Sequence, residues 1–281
     1  GSVVAPDVIM TAAHCADAIT TVVVGLYNLS DVSGKVQSFA IEERNKHVHS
    51  QYNPYTNEND VMLIQLDGNI TVVDPIRVNN NVSVPIATDT LAVVGWGATD
   101  VTIDEIVYPK ILMEVELFYV PNLFCKRIVE EDGETLGSSL FDDMMCATDE
   151  GKDSCYGDSG GPLIFLGSSP ADDVQVGVVS WGLVCGGKVP GVYHRLSHSY
   201  GWVKKNVCSL SSAPPDSFNC FGPPPTKPPE PTNAPTNPPP SNATNPNAIA
   251  GAIPSTRGQS MAAETRLGWT FAISFLLAML L

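Results

Sequence analysis

The 281-residue sequence has no basic cluster: fifteen Lys and Arg stand against thirty Asp and Glu, a formal charge of −15. Nucleic acid is excluded as an expected partner, because a phosphate backbone is held by concentrated positive charge. Cys-x-x-Cys pairs and His/Cys clusters at metal-ligand spacing are also missing. The seven cysteines therefore point to disulfides formed in an oxidising compartment, and neither a metal nor a cofactor is expected. No unit repeats at a fixed period, so a propeller or solenoid is not indicated. From Gly222 to Gly268 there is no aromatic residue and no Cys, while fourteen of the 23 prolines fall between Pro214 and Pro254. Such a stretch has too little apolar surface to offset the entropy of ordering it, and residues 209–266 read as a disordered Pro/Thr/Asn-rich stalk.

Beyond the stalk, residues 267–281 form a hydrophobic C-terminal tail, LGWTFAISFLLAMLL. Fifteen residues are fewer than the ~20 that a bilayer-crossing helix needs. The tail suits a cleaved lipid-anchor signal behind a polar spacer, with Gly258 and Ser260 as candidate attachment positions. A short tilted membrane helix with Arg266 at its edge is the alternative. Either reading gives contact with a membrane through the C-terminus. Asn-x-Ser/Thr sequons begin at Asn28, Asn69, Asn81 and Asn242. They agree with the cysteines in suggesting an extracellular glycoprotein, secreted or held at the cell surface.

What the first 213 residues do contain is charge and short strands. Their 12 basic and 27 acidic residues carry the whole net charge. Apolar or alternating runs at Val22–Leu26, Val36–Ile41, Val61–Leu66, Leu91–Val94, Ile111–Val120, Pro162–Leu166, Val174–Trp181 and Gly191–Arg195 predict β-strands. Helices are expected only after Pro121 and over Ser199–Val207. The fold class is all-β.

Three segments carry chemistry. Thr11-Ala12-Ala13-His14-Cys15 supplies an imidazole. Asn59-Asp60-Val61-Met62-Leu63-Ile64 puts a carboxylate at the mouth of a buried strand, where it is costly unless hydrogen-bonded. Gly157-Asp158-Ser159-Gly160-Gly161-Pro162 sets a hydroxyl among glycines, a backbone able to expose bare N–H groups as well. Ser, His and Asp are the parts of an acyl-transfer site.

With these segments in view, the chain resembles the trypsin-like, chymotrypsin-fold serine peptidases. TAAHC, NDVMLIQL, VVGWG, GDSGGP, VSWG and PGVY occur in the order of that family, across about residues 1 to 207. The resemblance implies two antiparallel six-stranded β-barrels, about 1–88 and 89–208, within a peptidase domain of residues 1–208. It implies that His14 is the general base, Asp60 its orienting acid and Ser159 the nucleophile, with the N–H groups of Gly157 and Ser159 as oxyanion hole. It further implies a primary specificity pocket made by Asp153, Ser154, Ser180, Trp181, Gly182 and Gly191, with Asp153 selecting Arg or Lys. The expected partners are protein or peptide substrates with Arg or Lys at the cleavage site, and protein inhibitors. A catalytically silent relative that binds an extracellular protein is the alternative reading.

The same resemblance implies disulfides Cys125–Cys146 and Cys155–Cys185. Cys208 and Cys220 lie outside the matched motifs and are read as closing a loop. Leu91 and Phe165 stand where another family bridge has its two cysteines. Cys15 is left single, its expected partner lying two residues before Gly1, so the chain reads as truncated and its first barrel as incomplete. A vector-derived Gly1-Ser2 is the alternative. In the family, the amino terminus freed by activation pairs with the acid preceding the nucleophile, here Asp158; without it, this chain is expected to be poorly active or misfolded. Leu183–Val189 is about one residue shorter than in digestive trypsins, and Leu26 and Val36 replace acids of a calcium loop, so no metal is expected.

Overall fold

The computed structural model describes residues 1–30, 35–87, 89–102, 104–129, 135–187 and 189–222, and the backbone of 278–280. Nearly all of the expected stalk and tail, with Asn242, Gly258, Ser260 and Arg266, lies outside the described residues.

The chain folds as strands separated by tight turns. The first half holds β1 (Ser2–Ala5), β2 (Val8–Thr11), β3 (Thr21–Val24), β4 (Gln37–Ala40), β5 (Lys46–Val48) and β6 (Met62–Gln65). They form a sheet of order β1-β2-β6-β5 and a separate β3-β4 pairing. Residues of β1, β2, β3 and β6 are almost wholly buried, because apolar side chains fill both faces of these short strands. After β7 (Arg77–Val78), the second half contains β8 (Thr90–Gly95), β9 (Asp100–Val101), β10 (Ile106–Val107), β11 (Met113–Val120), β12 (Met144–Thr148), β13 (Pro162–Phe165), β14 (Val174–Trp181) and β15 (Gly191–Arg195). Strands run β13-β8-β11-β12-β15-β14, and pairing of β14 back onto β13 closes a six-stranded antiparallel barrel. Closure removes the sheet edges that would otherwise invite aggregation. A last strand, β16 (Ala278–Leu280), lies antiparallel to β3.

Among the described residues, helix is confined to α1 (Asn122–Cys125), α2 (Leu196–Leu210) and short 3₁₀ turns. α2 begins before and ends after the expected Ser199–Val207, because Leu196, Val203 and Val207 all reach the core. The folded unit also continues past residue 208. Phe218 is 1% exposed within the core, and Cys208–Cys220 ties its segment to α2. Residues 209–222 are thus ordered parts of the globular unit rather than the start of the stalk.

Leu91 and Phe165 are direct cross-strand partners between β8 and β13 and pack in one apolar cluster. An apolar contact joins the two strands here; fully burying a side chain such as Leu91 contributes about 1.5–3 kcal/mol. The described chain has disulfides Cys125–Cys146, Cys155–Cys185 and Cys208–Cys220, and Cys15 is a free thiol.

Candidate active site

His14 lies in a 3₁₀ turn directly after β2, and Asp60 in the turn entering β6. β2 and β6 are register partners, with Thr11 opposite Met62, and so the fold brings the two residues together. His14 Nδ1 meets Asp60 Oδ2 at 2.7 Å, and the His14 backbone N–H donates to Asp60 Oδ1 at 2.9 Å. Asp60 is completely buried. Its desolvation is offset by these donors and by Ser180 Oγ, which donates to Oδ2 at 2.5 Å. Burial works against the imidazolium of His14, but Asp60 and the neighbouring Cys15 sulfur outweigh it and hold the ring above the ordinary histidine pKa.

Ser159 sits on the turn between Cys155 and β13, which is fixed from several sides. Asp158 N–H donates to the Cys155 carbonyl, Gly160 N–H to that of Val179, and Gly161 N–H to that of Asp158. The N–H groups of Gly157 and Ser159, by contrast, have no acceptor among the described residues. Gly157 has φ +99° and Gly160 φ +75°, a region that side chains rarely adopt. A Cβ on Gly160 would lie 2.1 Å from Thr11 Oγ1 and 3.1 Å from the Ala12 nitrogen. This close approach brings the Ser159 turn against the segment that carries His14. Ser159 is exposed, and its Oγ makes no hydrogen bond to His14 in this structure. The imidazole–carboxylate half of the expected triad is hydrogen-bonded; the serine half is adjacent and free.

Asp153 and Ser159 line one cleft of about 190 Å³, together with Ser154, Ser180, Trp181 and Gly182. Ser154 N–H donates to Asp153 Oδ1 at 2.8 Å, and Ser154 Oγ is 3.0 Å from Tyr193 Oη. Gly191 backs onto the acid: a Cβ there would fall 2.5 Å from Asp153 Oδ1, whereas one on Gly182 would meet only the Gly191 Cα at 4.0 Å. Burial pushes the Asp153 carboxyl up to about 7, against the pull of N–H groups from Ser154 and Gly186. Tyr193, fully buried behind Ser154, is a supporting residue that motif reading does not single out, although it ends the PGVY signal. Leu183 and Val184 line the rim and are partly exposed.

Asp158 turns away from that cleft. Its oxygens accept the N–H groups of Gly97 at 2.8 Å and Cys155 at 2.9 Å, and burial raises its pKa. Gly95 and Gly97 form its cradle, since a Cβ on either would fall within 2.1 Å of a carboxylate oxygen. These three residues border a further cavity of about 380 Å³. Among the described residues no group of His, Cys, Asp or Glu is arranged to hold a metal ion, and no helix is long and apolar enough to cross a membrane.

A closed β-barrel, a buried acid bonded to an imidazole and a cleft lined by an exposed serine define the class as a serine peptidase. The comparisons identify the family. The Trypsin family model matches residues 1–203. Serine protease 28 of Mus musculus is 33% identical over 218 residues, covering 74% of this chain and 77% of its own length. Trypsin of Sarcophaga bullata is 34% identical over 218 residues, covering 75% and 79%. Trypsin I-P1 of Gallus gallus is 31% identical over 216 residues, covering 74% and 79%. The chain belongs to the trypsin family.

Proposed function

We propose that the protein is an extracellular endopeptidase that hydrolyses peptide bonds after Arg or Lys. Ser159 attacks the scissile carbonyl while His14 takes its proton. Asp60 fixes the imidazole tautomer and stabilises the imidazolium, and the tetrahedral oxyanion is received by the N–H groups of Gly157 and Ser159. The intermediate collapses as the His14 imidazolium protonates the departing amine and the C–N bond breaks. Neutral His14 then deprotonates the water that attacks the acyl-enzyme and returns the proton to Ser159 Oγ as the ester bond cleaves. Substrate backbone pairs with Ser180–Gly182 as an added antiparallel strand.

The observation that carries this reading is the placement of Asp153 and Ser159 in one cleft, with Gly182 and Gly191 leaving it open. A guanidinium or ammonium entering the cleft gives the desolvated acid the partner it lacks. Asp158 is assigned to the ammonium of an amino terminus released by activation. Support comes from its burial, its two neutral amide partners and the adjoining cavity. Extracellular placement is supported by the three disulfides. Tethering at a membrane by residues 267–281 rests on sequence composition, and the pairing of Ala278–Leu280 with β3 counts against it. The test is cleavage of a peptide library by the activated protein: cuts after Arg and Lys, lost in Ser159→Ala, support the assignment. Cuts elsewhere or none overturn it, and none together with tight capture of an extracellular protein favours the silent binding module.

A further inference from the structure

Asp143 and His194 are among the buried ionisable side chains that lie outside the chemistry above. Asp143, in the turn entering β12, is 4% exposed, and His194 of β15 is 1% exposed. His194 Nδ1 faces Asp143 Oδ2 at 3.4 Å and makes no hydrogen bond among the described residues. The other ring nitrogen is fixed by Ser199 Oγ of α2 at 2.8 Å. The same Asp143 Oδ2 accepts the backbone N–H of Asn59 at 2.5 Å. Asn59 comes from the first half of the fold and immediately precedes Asp60. Its φ of +56° is one that residues other than glycine hold only where surrounding contacts enforce it. Its side chain donates to the Gln51 carbonyl, and its own carbonyl accepts Val61 N–H. The backbone N–H, the carbonyl and the side-chain amide nitrogen of Asn59 are therefore all anchored, and the anchor of its N–H is a carboxylate from the other barrel.

From this juxtaposition we infer that Asp143, braced by His194, is a positioning residue: it clamps the Asn59 amide across the barrel interface and so sets where Asp60 presents its oxygens to His14. The inference deepens the proposed mechanism and rests on the role given there to Asp60. Other charged or titratable groups nearby are otherwise engaged. The His49 ring packs on Trp202 at 4.8 Å, and the Arg195 guanidinium turns to Tyr119 Oη and the Met144 carbonyl. Arg195 contributes only its backbone N–H, to the Asp143 carbonyl at 2.7 Å. Burial opposes ionisation of Asp143, but His194 and the Asn59 amide outweigh it and keep the carboxyl below its ordinary range. His198 of α2 is the remaining imidazole in the neighbourhood.

The test compares activated wild type with Asp143→Ala, Asp143→Asn and His194→Gln. One readout is steady-state turnover of a short arginine amide; the other is the low-field NMR proton shared by His14 and Asp60. Misplacing catalytic groups by a fraction of an ångström typically lowers turnover by about 10- to 100-fold. That loss in kcat is expected for Asp143→Ala, with KM held within about twofold and the low-field proton shifted. Asp143→Asn, whose amide oxygen still accepts from Asn59, recovers most of the rate. His194→Gln falls between, about 3- to 10-fold down. Wild-type kcat and an unmoved resonance in folded Asp143→Ala overturn the inference, as does an equal loss in the Ala and Asn variants with the resonance unmoved. If Asp143→Ala does not fold, His194→Gln decides: reduced kcat with a shifted proton supports the clamp, and wild-type behaviour refutes it. Failure of the catalytic reading is separate, because wild-type turnover would then be absent or insensitive to Ser159→Ala while the NMR comparison still reports on Asp60.

Discussion

Ser180 Oγ and His14 Nδ1 converge on the same oxygen of Asp60, at 2.5 and 2.7 Å. Ser180 also belongs to the strand end that lines the cleft, so the cleft wall and the buried acid share one residue. Replacing it leaves Asp60 buried with one donor fewer. Hydrogen bonds to a charged group contribute about 1.5–3 kcal/mol. Ser180→Ala should lower kcat by about tenfold or more, measured on an arginine amide substrate; an unchanged kcat contradicts this account of Asp60.

The raised pKa of His14 gives a signed prediction. The proposed mechanism needs the neutral imidazole, and an elevated pKa keeps the ring protonated to higher pH. The acidic limb of kcat/KM should therefore lie above the 6.5 of an unperturbed histidine. Asp60→Asn removes the charge that favours imidazolium, so the limb should move to lower pH while the rate falls by about 10⁴, the size of loss associated with the wrong tautomer. A pH–rate profile of both proteins checks the two effects together.

Asp153 predicts a pH-dependent affinity. With no cation bound, burial places its carboxyl at about 7. A cationic ligand such as benzamidine binds the ionised form, so affinity should weaken as pH falls through 7, and binding below that pH should expel a proton. Calorimetry in buffers of differing ionisation enthalpy measures this release. Asp153→Ser should abolish the pH dependence and cut kcat/KM for arginine substrates by about 10⁴, since a buried cation is left unpaired. Retained preference for arginine would remove Asp153 from the specificity site.

Gly160 should not tolerate a side chain. Its φ of +75° and the 2.1 Å approach to Thr11 Oγ1 combine backbone strain with overlap. Gly160→Ala is expected to lose about 1–3 kcal/mol of stability. It should also lose most of its turnover, because the neighbouring Ser159 turn must shift. Thermal unfolding of the single variant and of Gly160→Ala with Thr11→Ala separates the two causes: relief of overlap recovers part of the melting temperature and leaves the strain.

Much of the fold was legible because its signals are local. Val174–Trp181 and Gly191–Arg195 are strands at the bounds expected from their apolar runs, and Leu91 and Phe165 do meet across the barrel. The strands that pattern reading passed over have physical reasons for being quiet. Met144–Thr148 is buried on both faces and shows no alternation, while Lys46–Val48 is short and polar. The ordered segment through Phe218 was obscured by the prolines beside it, although one buried aromatic and one disulfide suffice to hold it. In the site, the glycine-flanked Ser159 and the acid Asp60 stood out by residue type and neighbours. Asp143 and His194 did not: FDDMMC reads as an ordinary acidic turn, and only the barrel closure reveals that its second acid reaches Asn59. Nor could sequence show that Ser159 Oγ lacks a hydrogen bond to His14, a matter of side-chain geometry rather than of pattern.

The most direct measurement of the central claim is covalent labelling of the activated protein with a fluorophosphonate, followed by peptide mass spectrometry. The account predicts a single adduct on Ser159, slowed by prior addition of benzamidine and abolished in His14→Ala. An adduct on another residue, or an intact and activated protein that takes up no label, would contradict it.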